Sequence, residues 1–240
     1  SPFSWGIYFF NEGVFTMATL NPVVSKFTLS DSTVTQVYTC PTDKSYAIID
    51  MTFFKADTTQ DAVIAVALSS NSNPANLTSV DFFVDDIALL GQVNSGELSK
   101  VVVGPGEYLY VQKVSGPTVN VRVSGTEDAS NTKVLKAGRL AAASISGTNQ
   151  TLIYQNTIPN ALYVSASTTI FNTSASTATI TTWITSGTTP SDNDKVLQLD
   201  IPSQDTAILE NVMLAPNEKI FVSSTQPNTE YFINGMVVSV

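Results

Sequence analysis

Two stretches decide the fold: VYTCPTDKSYAIIDMTFFKADTTQDAVIAVALSS, from Val37 to Ser70, and IYQNTIPNALYVSASTTIFNTSASTATITTWITS, from Ile153 to Ser186. They read as two copies of one plan: a tyrosine strand, a turn, an alternating strand, a small polar turn and another alternating strand. Tyr38 matches Tyr154, Ala47 matches Tyr163 and Ile64 falls near Ile180. Downstream the copies match again. VVVGPGEYLYV (Val101 to Val111) aligns with VMLAPNEKIFV (Val212 to Val222), and each is followed by a polar turn and a closing strand, PTVNVRVSG or TEYFINGMVVSV. The offset is 116 residues in the first block and 111 in the second. Two blocks in the same order at nearly one offset are the mark of an internal duplication.

The local pattern within each copy is that of strands. Val119, Val121 and Val123 alternate with Asn120, Arg122 and Ser124, the period of a half-buried antiparallel strand. Leu162, Val164, Ala166, Thr168 and Ile170 form a similar stripe. Gly104-Pro105-Gly106 and Pro216-Asn217 supply turns ahead of the Leu109 and Ile220 strands. Short strands with such punctuation predict an all-β chain of two tandem antiparallel β-sandwich domains, jelly-roll-like and related by internal duplication. The expected division is an aromatic N-terminal arm over 1–19, a first unit over 20–127, a linker over 128–136 and a second unit over 137–240. Val80 to Gly91 (VDFFVDDIALLG) fits a short amphipathic helix about as well as a strand. The Thr-rich run STATITTWITSGTTPS in the second copy is expected to be solvent-facing sheet surface.

Composition agrees and excludes several functions. Of 240 residues 43% are hydrophobic, enough for a sizeable core, while 13% are charged, about half the usual roughly 25%. A net charge of −9 is unsuited to a nucleic-acid backbone, and no apolar run reaches the ~20 residues that span a bilayer. Residues 1–16 lack the basic start and small-residue cleavage site of a signal peptide, so folding in a cytoplasm is expected. The single cysteine, Cys40, leaves no internal disulfide and reads as a buried thiol or as a bridge to another chain.

Candidate chemistry is sparse. The chain has no histidine, which removes the commonest general base and the Ser-His-Asp arrangement. With one cysteine, thiolate zinc sites go too. Carboxylates cluster at Asp81, Asp85 and Asp86 and at Asp192 and Asp194. A glycosidase needs two carboxyls held at a set distance, but these read as turn residues and a solvated edge. Asp192-Asn193-Asp194 lacks the glycine and distal glutamate of a calcium loop. No catalytic residue, metal site or cofactor is therefore expected. Trp183 is the one candidate for stacking on a sugar.

The pattern Y-T-C-P-T-x-K, an alternating strand, then V-x-x-G-P-G-E-Y-L-Y-V and V-R-V-S-G resembles the small β-sandwich modules of tailed-phage virion proteins, including those of phages that infect cyanobacteria. Tyr38 to Pro41, Lys44, Pro105 to Val111 and Arg122 to Gly125 carry the resemblance. The second copy keeps Tyr154, Asn172-Thr173, Pro216, Glu218 and the strand around Ile220. The resemblance implies a non-enzymatic structural protein that assembles with other virion subunits, often as a homo-oligomer. Capsid decoration is favoured; a neck, tail or fibre component, or a carbohydrate-binding sandwich that recognises a host surface, is the alternative. The expected partners are major capsid, neck or tail subunits, with neither nucleic acid nor membrane.

One segment lies outside both copies. Phe3, Trp5, Tyr8, Phe9, Phe10 and Phe15 crowd the first 16 positions. They are candidate anchors, since aromatic side chains make interface hot spots. Three readings stay open: the arm packs on its own sandwich, it docks into a neighbouring subunit, or Met17 is the natural start.

Overall fold

The computed structural model describes residues 20–91, 94–128 and 133–239. The first half holds β1 (Leu20–Leu29), β2 (Thr35–Thr39), β3 (Tyr46–Lys55), β4 (Ala62–Ser69), β5 (Phe82–Leu89), β6 (Ser95–Val103), β7 (Tyr108–Ser115) and β8 (Val119–Asp128). The second holds β9 (Val134–Ile145), β10 (Thr151–Gln155), β11 (Ala161–Asn172), β12 (Ala178–Thr185), β13 (Lys195–Ile201), β14 (Thr206–Leu214), β15 (Lys219–Ser224) and β16 (Thr229–Ser239).

Each half is a pair of four-stranded antiparallel sheets. The first has orders β1-β8-β3-β6 and β2-β7-β4-β5; the second has β9-β16-β11-β14 and β10-β15-β12-β13. Adding eight to every label of the first half reproduces the second. This interleaved order is that of an eight-stranded jelly roll, so the chain is two jelly rolls of identical topology. β8 reaches Asp128 and β9 begins at Val134, so ordered strand enters the stretch assigned to the linker from both sides.

Alternation places the cores. Val119, Val121 and Val123 of β8 are buried with Ile49, Met51 and Phe53 of β3, against Leu109 and Val111 of β7. In the second half Val164, Ala166 and Ile170 of β11 meet Ile220 and Val222 of β15. Leu162 leaves the expected stripe and is exposed, because the pairing of β11 with β16 slips between Ala161 and Tyr163. The same slip corrects the Ala47–Tyr163 match: Ala47 is core, and its counterpart in the second core is Val164. A one-residue bulge inverts the faces that follow it, and no propensity reports it.

The matched turns are alike down to single bonds. Gly106 (φ 74°) and Asn217 (φ 67°) are left-handed residues after a proline, as a type II turn requires. Each turn closes by a bond to the residue before the proline, Glu107 N–H to Gly104 O (3.0 Å) and Glu218 N–H to Ala215 O (3.2 Å). Cys40 and Asn156 hold the two turns in the same way, each exchanging two backbone bonds with them. Register confirms Tyr38 and Tyr154 as equivalents: they face Leu109 and Ile220, each just past a bulge.

One open alternative is settled and one expectation is corrected. Val80 to Gly91 is a short 3-10 turn (Ser79–Asp81) followed by strand β5. The Thr-rich strand β12 is not open surface: Thr182, Trp183 and Thr185 are buried, and Thr182 Oγ1 lies 3.5 Å from the buried Tyr231 hydroxyl. Threonine fits the pleat on either face, so composition alone did not say which side was wet.

Cys40 is fully buried and free. Burial, with the nearby Glu127, Glu107 and Asp43 charges, pushes its thiol up to about 11. The thiolate is the reactive form, so the native protein should not react with a thiol reagent at neutral pH, and one equivalent should react in denaturant. Full labelling of the native chain would show that the second strand opens readily.

Candidate functional site

The structure draws attention to the seam between the jelly rolls. The edge of the first half formed by β5 and β6, with the turns that flank them, seats on the outer face of the second half's β9, β16 and β11. Phe83 of β5 stacks on Phe232 of β16 with ring centroids 5.0 Å apart, and Phe232 belongs to the first half's core. Strand β6 is the free edge of its sheet, and a buried edge needs partners for its backbone. Asn234 supplies them. Its Oδ1 accepts the Val102 N–H at 2.8 Å and its Nδ2 donates to the Val102 carbonyl at 2.6 Å. The side-chain amide thus takes the place of a neighbouring strand.

Charged groups complete the seam. The Asp81 carboxylate caps its 3-10 turn, accepting from the Thr78 N–H (2.8 Å) and hydroxyl (2.9 Å), and its other oxygen pairs with the Arg139 guanidinium on β9. Burial pushes the Asp81 carboxyl up, but the Thr78 amide and the Arg139 pair outweigh it and hold the group below its ordinary value. Glu107 accepts from the Gly104 N–H (2.9 Å) and from the Arg139 N–H (3.1 Å). Gly138 lets the backbones meet there: at φ 96°, a Cβ would lie 1.9 Å from Glu107 Oε2.

Burial raises the Glu107 carboxyl above its ordinary value, and its backbone bonds and the nearby cations only partly oppose this. The unfolded chain therefore loses this proton first as pH rises. The stabilising contribution is full below the unfolded pKa and is lost as pH climbs through the raised folded value. Glu107→Gln should flatten that decline in a plot of urea midpoint against pH. Parallel curves for variant and wild type would refute it.

Three of the carboxylates picked out by sequence, Asp81, Asp192 and Asp194, have structural roles. Asp81 is a cap and seam ion, and Asp194 caps the equivalent turn (Asp192–Asp194) through the Ser191 N–H and hydroxyl. Asp192 pairs with Lys195 at 3.1 Å. Among the described residues no group of three or more His, Cys, Asp or Glu could hold a metal ion. A cleft of about 430 Å³ opens along the seam, but its titratable residues are Glu97 and Lys100, a single carboxyl with no second one facing it. Trp183 is 6% exposed and lies opposite the buried Phe221 on β15, so its ring is no platform for a sugar. Phe3, Trp5, Tyr8, Phe9, Phe10 and Phe15 lie outside the described residues. Sequence reasoning missed Asn234, Arg139 and Phe232. The available signal was YFINGMVV itself, a closing strand apolar at successive positions, which is the pattern of a strand buried on both faces.

Fold and seam together define a class: an all-β protein of two jelly rolls joined through a polar and aromatic interface. No protein-family model matches the chain, and no curated protein matches it by sequence. Among solved structures it is similar to the STIV MCP at 7% identity, over 91% of this chain and 96% of that one, with a TM-score of 0.40. It is similar to the major capsid protein P2 from bacteriophage PM2 at 11% identity, over 91% and 98%, with a TM-score of 0.36. Broad Bean Stain Virus gives 8% identity over 98% and 95%, with a TM-score of 0.33. Viral capsid proteins are thus among the structures it resembles in outline; the jelly-roll assignment rests on the strand order of the chain itself.

Proposed function

We propose that the chain is a non-enzymatic virion structural protein, made in the host cytoplasm and built into a capsid, that works by attachment to other virion subunits. Its organisation would be an arm (1–19), two units (20–127 and 137–240) and the linker 128–136. The seam is the observation that supports this reading most. Asn234 occupies a strand edge, Phe232 enters the first unit's core, and Arg139 and Glu107 bind across it. Such contacts make one rigid block of two like units, a shape suited to tiling. Asn234, Asp81, Arg139 and Glu107 are engaged in holding the seam, and the cleft beside it lacks paired carboxyls.

The tailed-phage resemblance of Tyr38 to Pro41 and Pro105 to Val111 fits the same reading, with decoration of a shell or membership of it as the role. The arm would add aromatic anchors to the sheet surfaces. Quantitative mass spectrometry of purified particles tests the proposal: the chain should be present at a copy number comparable with the shell protein. A copy number of a few per particle would point to neck, tail or fibre, and absence from particles would overturn the virion reading.

A further inference from the structure

The seam uses one edge of the first half and one face of the second. Among the described residues, the matching edge of the second half and the matching face of the first have no such partner within the molecule. On the edge, each half has a 3-10 turn capped through its final aspartate, Asp81 or Asp194, followed directly by the fifth strand of its jelly roll. Phe83, the second residue of β5, corresponds to Val196, the second of β13. Phe83 is buried in the seam, whereas Val196 is 51% exposed. Asp81 uses one oxygen for its cap and the other for Arg139. Asp194 uses Oδ2 for its cap, and no cation pairs with it among the described residues.

On the face, Arg122 stands between core-facing Val121 and Val123 as Phe232 stands between core-facing Tyr231 and Ile233. Their rows agree: Lys26, Arg122 and Thr52 lie side by side on β1, β8 and β3, as Ala142, Phe232 and Thr169 do on β9, β16 and β11. Lys26 and Arg122 are thus like charges directly opposite each other, an arrangement that costs stability unless something offsets it. Elsewhere Lys44, Arg139 and Lys195 have carboxylate partners, and Lys55, Lys113 and Lys219 donate to backbone carbonyls. Lys26 and Arg122 have neither among the described residues. Asp50 shares the face, but its Oδ1 accepts the Lys100 amide at 2.8 Å. Exposed Phe54 and Val24 flank the pair and supply apolar area.

We propose that the Asp192–Asp194–Val196 edge of one molecule docks on the Lys26–Arg122–Phe54 face of a second copy, repeating between molecules the contact that joins the halves within one. Val196 takes the place of Phe83 and packs on Phe54 and the side-chain stems of the cations. The turn carboxylates meet the guanidinium and ammonium groups. In a chain of net charge −9, two copies repel except where opposite signs are brought together, so this pairing sets orientation as well as attraction. The contact is heterologous: each molecule gives an edge and receives one, so copies join into a closed ring or an open chain.

Light scattering coupled to gel filtration of the full chain tests this. Wild type should assemble beyond the monomer, with a smaller mean mass at high salt as the charges are screened. Lys26→Glu/Arg122→Glu, which spoils the face, and Val196→Asp, which spoils the edge, should each be monomeric with unchanged thermal transitions. Mixed together they should form a one-to-one dimer and nothing larger, since each retains one sound surface. If the glutamates disturb folding, Lys26→Ser/Arg122→Ser reads the same loss. A wild type monomeric up to its solubility limit, folded variants that assemble as wild type does, or a mixture that stays monomeric would overturn the docking. None of these outcomes bears on particle copy number, so the virion proposal stands or falls separately.

Discussion

Asn234→Ala should cost about 3 kcal/mol of stability, because it strands the buried Val102 N–H and carbonyl, each worth about 1–3 kcal/mol when left unpaired. For a protein of this size that is a fall in melting temperature of roughly 6 to 12 °C. A control separates the buried from the exposed case. Asn120 also uses its side-chain oxygen, accepting from the Thr28 hydroxyl at 2.9 Å, but on an exposed face. Asn120→Ala should stay within about 0.5 kcal/mol of wild type. Equal shifts for the two variants would mean that water replaces the Asn234 amide at the edge of β6, and that the seam is wetter than its burial suggests.

Phe232→Ala should be the most damaging single truncation at the seam, at about 3–5 kcal/mol for a buried phenylalanine. The ring is 3% exposed and packs in the first half's core although its strand belongs to the second. A double-mutant cycle with Phe83→Ala should return about 1 kcal/mol of coupling for the stacked pair. Calorimetry adds a qualitative reading. Wild type should unfold in one cooperative transition, and Phe232→Ala combined with Asn234→Ala should split it in two as the jelly rolls uncouple. A split already present in wild type would show that the seam carries little energy, and would weaken the case for a rigid tile.

Both predictions concern residues that a linear reading passed over, and the reason is instructive. Asn234 sits in INGM, where asparagine before glycine reads as a turn signal. In the fold it lies mid-strand on β16, paired with Arg139 on one side and Ser167 on the other. Arg139 is an ordinary cation until Asp81, distant in sequence, is brought against it. Glu107 and Glu218 look interchangeable in the repeat, and both accept the N–H three residues back. Among the described residues only Glu107 also reaches the other half, at the Arg139 N–H. Duplicated positions share local bonds because those depend on the turn; they differ in long-range partners because each half has different surroundings.

By itself the sequence determined the class and the plan. Period-two alternation settled that Val119, Val121 and Val123 share a face, proline followed by glycine or asparagine settled the turns at Gly106 and Asn217, and the two matched blocks settled that the chain holds one unit twice. These are local properties, set by side-chain direction along a strand and by which residues tolerate positive φ. Tertiary structure alone decided where bulges inverted the faces, why Leu162 is exposed while Trp183 is buried, and how the halves join. Those outcomes depend on which surfaces end up opposed, and burial on the outer face of a sheet is a property of its neighbour. The duplication is written in the chain, but the seam that makes two jelly rolls one body exists only once both have folded.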